Sequence, residues 1–376
     1  MSVQGQFHWH GASLQRSEII AAQDCMRGVI SGRMDAELLE RAHMAGSPEI
    51  IDWLLESEAP VARHLALRDL VESSPEELAV AQAAAMAADP IRSILSAQTA
   101  EGYWVKPGGG YSPKYTGTVW QLIFLDQLGA DPGHPQVRAA GEYILEHTQA
   151  VNGGFSYTSA PRRPPPSGTA PCLHGNLLAA LLHLGFADDP RVRDAIRFLV
   201  DSETAAEGHT YYQSGYSGPK FSCAVNGKQP CGWGGTKAVI ALASVPAALR
   251  TPAHAEALQS GVEFLLSVDP ATALYPMTPG TTKPSGTWFK LGFPLGYVAD
   301  VLQVMEAICE AGCAADPRLE PAVSWLLAQR DKSGPWLNKN AYHGKLWVDF
   351  EQQGAPSKLV TIRALRVLQA ICEANG

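Results

Sequence analysis

The chain has 376 residues, of which 46% are hydrophobic and 18% are charged, a balance typical of a folded globular protein rather than a disordered one. Its formal net charge of −8 argues against general binding to nucleic acid. The first fifteen residues lack the basic start and apolar run of a secretory signal, and no stretch approaches the roughly 18 apolar residues of a membrane span, so we expect a cytoplasmic protein. Seven cysteines in such a chain favour reduced thiols or metal ligands over a disulfide framework.

A short aliphatic pattern recurs along the chain, in which an aromatic or branched residue is followed by two mostly aliphatic ones. The copies are Trp53-Leu54-Leu55, Tyr143-Ile144-Leu145, Phe198-Leu199-Val200, Phe264-Leu265-Leu266 and Trp325-Leu326-Leu327, with a weaker copy at Ile94-Leu95. Successive copies are 41 to 66 residues apart, which indicates a helical repeat that carries insertions.

Each copy is followed by a segment that is apolar on most faces, which is typical of a buried helix. These predicted inner helices cover residues 60–71, 116–128, 175–184, 234–249, 293–311 and 357–373. We therefore predict an all-α protein, an (α/α)6 toroid of six helical hairpins over residues 47–376. An N-terminal helical arm over residues 1–46 precedes it.

The connections between helices are of two lengths. Those from inner to outer helix are short, whereas those from outer to inner helix cover residues 101–115, 153–173, 204–233, 271–291 and 333–356. In a closed ring, all connections of one kind lie on one face. The sequence therefore predicts one rim built from long loops, and loops of this length usually carry function.

Three of these junctions share a pattern that begins with glutamine. They read Gln98-Thr99-Ala100-Glu101-Gly102-Tyr103-Trp104, Gln149-Ala150-Val151-Asn152-Gly153-Gly154-Phe155 and Gln329-Arg330-Asp331-Lys332-Ser333-Gly334-Pro335-Trp336. The pattern resembles the glutamine-to-tryptophan repeat of the terpenoid cyclase and protein prenyltransferase superfamily. The resemblance implies an α/α toroid and an isoprenoid substrate. Class II cyclases use an Asp-x-Asp-Asp acid that does not occur in this sequence, so ordinary squalene-type cyclisation is not implied.

The long connections are rich in basic and aromatic residues, although the whole chain is acidic. A basic rim attracts an anion such as phosphate, diphosphate or carboxylate, and aromatic faces can line an apolar cavity and stabilise a carbocation. The predicted substrate-binding residues are Lys106, Lys114, Lys220, Lys290, Lys358, Tyr115, Trp233, Trp288, Trp336 and Trp347. The alternative is that the lysines solubilise exposed loops and the rings anchor them.

Cysteine and histidine residues cluster near the start of two neighbouring inner helices. Cys172 and His174 lie just before one of them, and Cys223 and Cys231 flank the start of the next. Because adjacent helices lie about 8–10 Å apart, these four residues could form a tetrahedral structural zinc site. If His174 faces the cavity instead, three thiolates leave one zinc position open. The alternative is buried thiols and a helix-capping histidine.

Four residues are candidates for moving protons. Asp349 and Glu351 would lie on one side of an extended stretch, Asp300 begins an apolar helix, and His174 can face the cavity. The alternative for the first two is a pair of loop carboxylates bound to lysines.

These features favour an isoprenoid-handling enzyme that binds a small apolar or anionic molecule and no nucleic acid. An (α/α)6 barrel can also carry a glycan lyase or hydrolase, in which Asp349 and Glu351 would form the acid pair. A third interpretation is a non-catalytic binding ring stabilised by zinc. The sequence does not determine the oligomeric state.

Overall fold

The computed structural model describes residues 34–158, 164–206 and 220–376. Within these ranges the chain forms fourteen α-helices and six short 3₁₀ helices, and β-structure is limited to isolated bridges. The helices are α1 (Ala36–His43), α2 (Pro48–Leu54), α3 (Pro60–Asp69), α4 (Pro75–Met86), α5 (Ile91–Ser96), α6 (Thr118–Gln127), α7 (Pro135–His147), α8 (Pro171–His183), α9 (Pro190–Thr204), α10 (Gly232–Ala243), α11 (Pro252–Leu265), α12 (Val301–Glu310), α13 (Glu320–Ala328) and α14 (Lys358–Asn375). The predicted all-α class is therefore confirmed.

The helices form six consecutive hairpins, each made of an outer helix and an inner one. The outer helices are α2, α5, α7, α9, α11 and α13, and the inner helices are α3, α6, α8, α10, α12 and α14. Several outer helices begin at proline, including α9 at Pro190 and α11 at Pro252. Proline is favoured there because the N–H group that it lacks would have no intrahelical partner in the first turn.

The inner helices pack in chain order and close into a ring. Contacts join α6 to α8, α8 to α10, α10 to α12, α12 to α14, and α14 back to α3. Beyond the end of α6 the chain passes close to α3, because a Cβ at Gly129 would lie 2.9 Å from the Leu65 side chain. A cavity on the ring axis is bordered by residues from all six inner helices. The predicted toroid is therefore present.

Two further helices pack outside this ring. Helix α1 lies against α13 and α14, and α4 lies against α3. Asp35 caps α1 by accepting a hydrogen bond from the backbone N–H of Leu38. Residues 1–33 of the predicted arm lie outside the described part of the chain, so the boundary at residue 46 stays a prediction.

The described parts of the long connections lie together on one face, as predicted. Trp347 donates its indole N–H to the carbonyl of Thr116 at 3.1 Å, which joins the last long connection to the first. Asn226 likewise donates to the carbonyl of Pro276 at 3.0 Å. Among the described helices, none combines the length and the apolarity that a bilayer crossing requires.

Candidate functional site

The ring axis holds a small and polar cavity. Its volume is about 110 Å³, below the roughly 300–1,000 Å³ of pockets that enclose drug-sized ligands. The charged residues in its wall are Arg68, Asp69, Asp126, His183, Lys237, Glu306, Glu310, Arg363 and Arg366. A cavity of this size and polarity suits a small molecule rather than an isoprenoid chain.

Arg363 organises the wall nearer the long-loop rim. Its guanidinium donates to Glu306 at 2.7 and 2.8 Å, to Asp300 at 3.1 and 3.2 Å, and to the carbonyl of Gly292 at 2.7 Å. Asp300 also caps α12 by accepting from the backbone N–H of Gln303 at 2.8 Å. The Asp300 carboxylate is thus committed to an ion pair and a helix cap, so its predicted role as a proton-moving group is not supported.

A second charged group lies at the other end of the cavity, where the inner helices end. His183 contacts Asp126 at 3.0 Å and the Ser244 hydroxyl at 2.8 Å. Burial lowers the pKa of His183, but the Asp126 carboxylate outweighs burial and the net shift is upward. Burial raises the pKa of the Glu310 carboxyl to about 7. The Glu310 carboxyl can therefore exchange a proton near neutral pH.

A loop over residues 291–300 crosses the ring mouth and fills the upper part of the axis, and we call it the axial plug. Gln127 of α6 exchanges two hydrogen bonds of 2.8 Å with the backbone of Leu295. Asn176 of α8 donates to the carbonyl of Gly296 at 3.0 Å. Residues 293–300 were predicted to be helical, and this prediction is wrong because α12 begins only at Val301.

Aromatic side chains converge around the plug. They come from four long connections and the first turns of α6 and α10, and we call them the aromatic mouth: Tyr111, Tyr115, Trp120, Tyr157, Trp233, Tyr275, Trp288, Tyr297 and Tyr342. Ring centroids of neighbouring members lie 4.4 to 6.4 Å apart. The Trp233 indole N–H is buried and has no hydrogen-bond partner among the described residues. The structure thus brings Tyr115, Trp233 and Trp288 together, as the sequence predicted.

The predicted anion-binding lysines differ in their environments. Lys106, Lys114, Lys220 and Lys290 are exposed on the long connections. The Lys114 ammonium lies 4.1 Å from the ring centroid of Tyr297, so it borders the aromatic mouth. Lys358 instead donates to the carbonyl of Trp53 and pairs with Glu56 at 2.8 Å. Lys358 therefore links α14 to α2, and its ammonium group is not available to bind an anion at the rim.

Two predicted substrate-binding tryptophans lie outside the mouth. Trp336 is fully buried, and its indole N–H donates to the carbonyl of Leu326 at 2.8 Å. Trp104 is buried in the equivalent way, with a bond of 2.7 Å to the carbonyl of Ile94. Both tryptophans anchor a loop to the preceding outer helix, so the prediction for Trp336 is wrong. Trp347 is 44% exposed and holds two loops together.

The repeat of glutamine-led junctions also explains the position and the role of His174. The backbone N–H of Trp104 donates to Thr118, and that of Trp336 donates to Thr361, each at 3.1 Å. At the corresponding place the N–H of Phe155 donates to Nδ1 of His174 at 3.1 Å. Nε2 of His174 lies 3.0 Å from the carbonyl oxygen of Ala195, to which it donates. Burial lowers the pKa of His174 to about 4, so the ring is neutral and holds the loop.

Three thiols meet where α8 and α10 pack closely. Cys223 and Cys231 hydrogen-bond to each other, which lowers the pKa of Cys223 and raises that of Cys231. Cys172 lies near both, because Cys223 adds to the burial that raises the pKa of Cys172, and Cys172 in turn contributes to the raised pKa of Cys231. His174 does not join them, because both of its ring nitrogens bind backbone groups. The predicted Cys₃His set is therefore not assembled, and the described residues contain no group of three or more His, Cys, Asp or Glu arranged for a metal ion.

The two predicted acid residues of the last long connection have different partners. Asp349 contacts the exposed imidazole of His343 at 2.7 Å. Glu351 instead accepts from the hydroxyl of Ser357 and from the backbone N–H of Leu359 at 3.2 Å, so it caps α14. Burial raises the pKa of Glu351. The two carboxylates thus bind different groups, and their use as an acid pair stays a prediction.

The sequence matches no protein-family model and no curated protein. Among solved structures, the chain is similar to a variant of the type II terpene cyclase MstE from Scytonema in complex with merosterolic acid A, its product. That match has 15% identity and a TM-score of 0.42, and it covers 90% of this chain and 99% of that one. A second MstE variant, in complex with geranylgeranyl dihydroxybenzoate, gives 13% identity and a TM-score of 0.27, over 80% of this chain and 97% of that one. Superpositions this weak carry no argument about the ligand of this chain.

Proposed function

We propose that this protein is an isoprenoid-handling enzyme of the cyclase or prenyltransferase type, which binds the apolar chain of its substrate against the aromatic mouth. The observation that carries the proposal is the convergence of aromatic rings from four separate connections above one axial cavity. Ring faces offer apolar surface and a negative quadrupole, which together suit a hydrocarbon that acquires positive charge.

Charge at the mouth supports an anionic head group on the same substrate. The Lys114 ammonium already lies over the ring of Tyr297, which means that a cation is accommodated there. Lys106, Lys220 and Lys290 are exposed on neighbouring connections and carry no competing ion pair among the described residues. A diphosphate is a natural ligand for such lysines, and its attraction to them is screened by salt.

The axial plug sets a condition on this function. The axial cavity is too small for a prenyl chain, so the chain binds in the mouth unless residues 291–300 withdraw. We assign no general acid, because Asp300, His174 and Glu351 hold structural hydrogen bonds and Asp349 pairs with His343.

The proposal is tested by titrating the protein with farnesyl diphosphate, farnesol and inorganic diphosphate while tryptophan fluorescence is recorded. We expect farnesyl diphosphate to bind most tightly, with an affinity that falls as salt rises. Tyr297→Ala should weaken binding by about tenfold, which corresponds to about 1.4 kcal/mol, whereas Tyr103→Ala, which changes a ring outside the mouth, should not. Equal affinity for the two variants, or no binding of farnesyl diphosphate, would refute the proposal.

A second candidate is a non-catalytic binding ring, and the filled axis favours it. The plug and the Arg363 ion pairs occupy the centre, where a toroidal enzyme would otherwise have open space. Under this alternative, prenyl diphosphates bind to the mouth and are recovered unchanged after long incubation. Release of inorganic diphosphate at a rate that depends on Tyr297 would exclude it.

A further inference from the structure

Lys237 is a buried lysine in the wall of the axial cavity. It lies in the second turn of α10 and is 1% exposed. Packing between α8 and α10 fixes its position, since a side chain at Gly175 would come within 2.5 Å of the Lys237 backbone. Lysine is among the residues that are almost never fully buried without a charged partner.

The partners of this amine are few. Among the described residues, its one hydrogen bond goes to the side-chain oxygen of Gln303, and no carboxylate forms an ion pair with it. The nearby Asp300 and Glu306 carboxylates are bound by Arg363, whose positive charge opposes a second cation. Burial, aided by Arg363, lowers the pKa of Lys237 to about 7 despite the attraction of these carboxylates. A large share of the amine is therefore neutral at physiological pH, with a free lone pair.

The cavity beside it has room for a small molecule only. Its volume of about 110 Å³ is well below the roughly 300–1,000 Å³ of pockets that enclose drug-sized ligands. Lys237 lines this cavity, so a neutral amine on it is close to any small molecule that enters. Lysines activated by desolvation form imines with carbonyl compounds.

We propose that Lys237 is a nucleophile that forms an imine with a small aldehyde in the axial cavity. The lone pair of Nζ attacks the carbonyl carbon, and a proton moves from nitrogen to the former carbonyl oxygen. After protonation the resulting carbinolamine loses its hydroxyl as water, and the iminium ion that remains returns one proton to solvent to leave a neutral C=N bond. The proton that the carbinolamine takes up comes from solvent, because Glu310 lies at the other end of the cavity and is paired with Arg366. The reaction consumes an amine and an aldehyde and releases one water, and it needs no oxidant.

The test uses the full-length protein, a limiting amount of acetaldehyde and sodium cyanoborohydride at pH 7, followed by peptide mass spectrometry. Reduction of the imine leaves an ethyl group on each lysine that reacted. Because an exposed lysine has a pKa of about 10.4, its neutral fraction at pH 7 is ~1,000-fold smaller than that of an amine with a pKa near 7. We expect ethylation of Lys237 to exceed that of the exposed Lys332 by at least tenfold.

Two variants and one denatured sample serve as controls. Lys332→Met should leave labelling at Lys237 unchanged, and Lys237→Met should remove the fast-labelled site. In urea all lysines should react alike, which shows that the native cavity causes the preference. If native Lys237 is labelled no faster than Lys332, the proposal is wrong, and this comparison holds even if Lys237→Met fails to fold. The outcome does not depend on prenyl binding, so it is independent of the function proposed for the mouth.

Discussion

Replacing His174 with threonine separates a structural histidine from a catalytic or metal-binding one. Threonine occupies the equivalent place in two other repeats, where Thr118 and Thr361 accept the same backbone hydrogen bond. The variant therefore keeps an acceptor for the N–H of Phe155 and removes one titrating group. The expected change lies in how stability depends on pH.

The magnitude follows from proton linkage. His174 has a pKa of about 4 in the folded protein, whereas an unfolded histidine titrates near 6.5. The unfolded chain therefore binds more protons between these values, and stability falls as pH drops below about 6.5 until it levels off below about 4. Between pH 7 and pH 5, His174 alone should remove about 2 kcal/mol from the free energy of unfolding.

The assay is urea unfolding of both proteins at pH 7 and pH 5, followed by circular dichroism. His64 also has a pKa lowered by burial to about 4, so the wild-type loss contains both contributions and only the difference between the proteins reports on His174. We expect the pH-dependent loss to be about 2 kcal/mol smaller in His174→Thr. An identical pH dependence in both proteins would show that His174 is not the buried, neutral hydrogen-bonding group that its contacts indicate.

Three further predictions concern packing and use the same unfolding assay. Arg363→Met leaves two buried carboxylates without their partner and should cost about 3–5 kcal/mol; a loss below 1 kcal/mol would show that water reaches them. Gly175→Ala should destabilise the protein because its methyl group collides with the α10 backbone, whereas Gly286→Ala, which adds a methyl group in open space, should be nearly neutral. Trp336→Phe removes a buried indole hydrogen bond and should cost about 1–3 kcal/mol, while Trp347→Phe at the surface should cost less; equal losses would contradict the assigned burial.

Local sequence patterns predicted most of the fold, because the residues at helix starts and the spacing of apolar residues show where each helix begins and which face of it is buried. Proline at the start of α9 and the aliphatic triplets at the outer helices located the hairpins. The axial plug was predicted to be part of the helix because Phe293 and Leu295 are as apolar as the residues of a buried helix. A usable signal was present: Asp300 followed three residues later by Gln303 is a helix-start pattern, and Asp300 does cap α12.

The candidate site was harder to predict, because its members come from distant parts of the chain. The ion pairs of Arg363 reach across 57 and 63 residues to Glu306 and Asp300. In the sequence, Glu306 and Arg363 are two of several polar residues within mostly apolar helices, and nothing local shows which residue is the partner of which. His174 shows the opposite case, because a local signal for its role exists. Threonine occupies its position in two other repeats and accepts a backbone hydrogen bond there, which indicates a structural role for His174 as well.

The ring has an apolar layer above a polar one, and the axial plug separates them. The aromatic mouth offers surface for a hydrocarbon, whereas Lys237, Glu306 and Glu310 border a chamber too small for one. A substrate with a long chain can therefore react at the chamber only if its reactive end is small and enters past the plug. The two layers can then belong to one catalytic site. Weakening the contacts of Gln127 with the Leu295 backbone should speed aldehyde labelling of Lys237, while the pKa of the Lys237 amine stays the same. An unchanged labelling rate would mean that small molecules reach the chamber by another route.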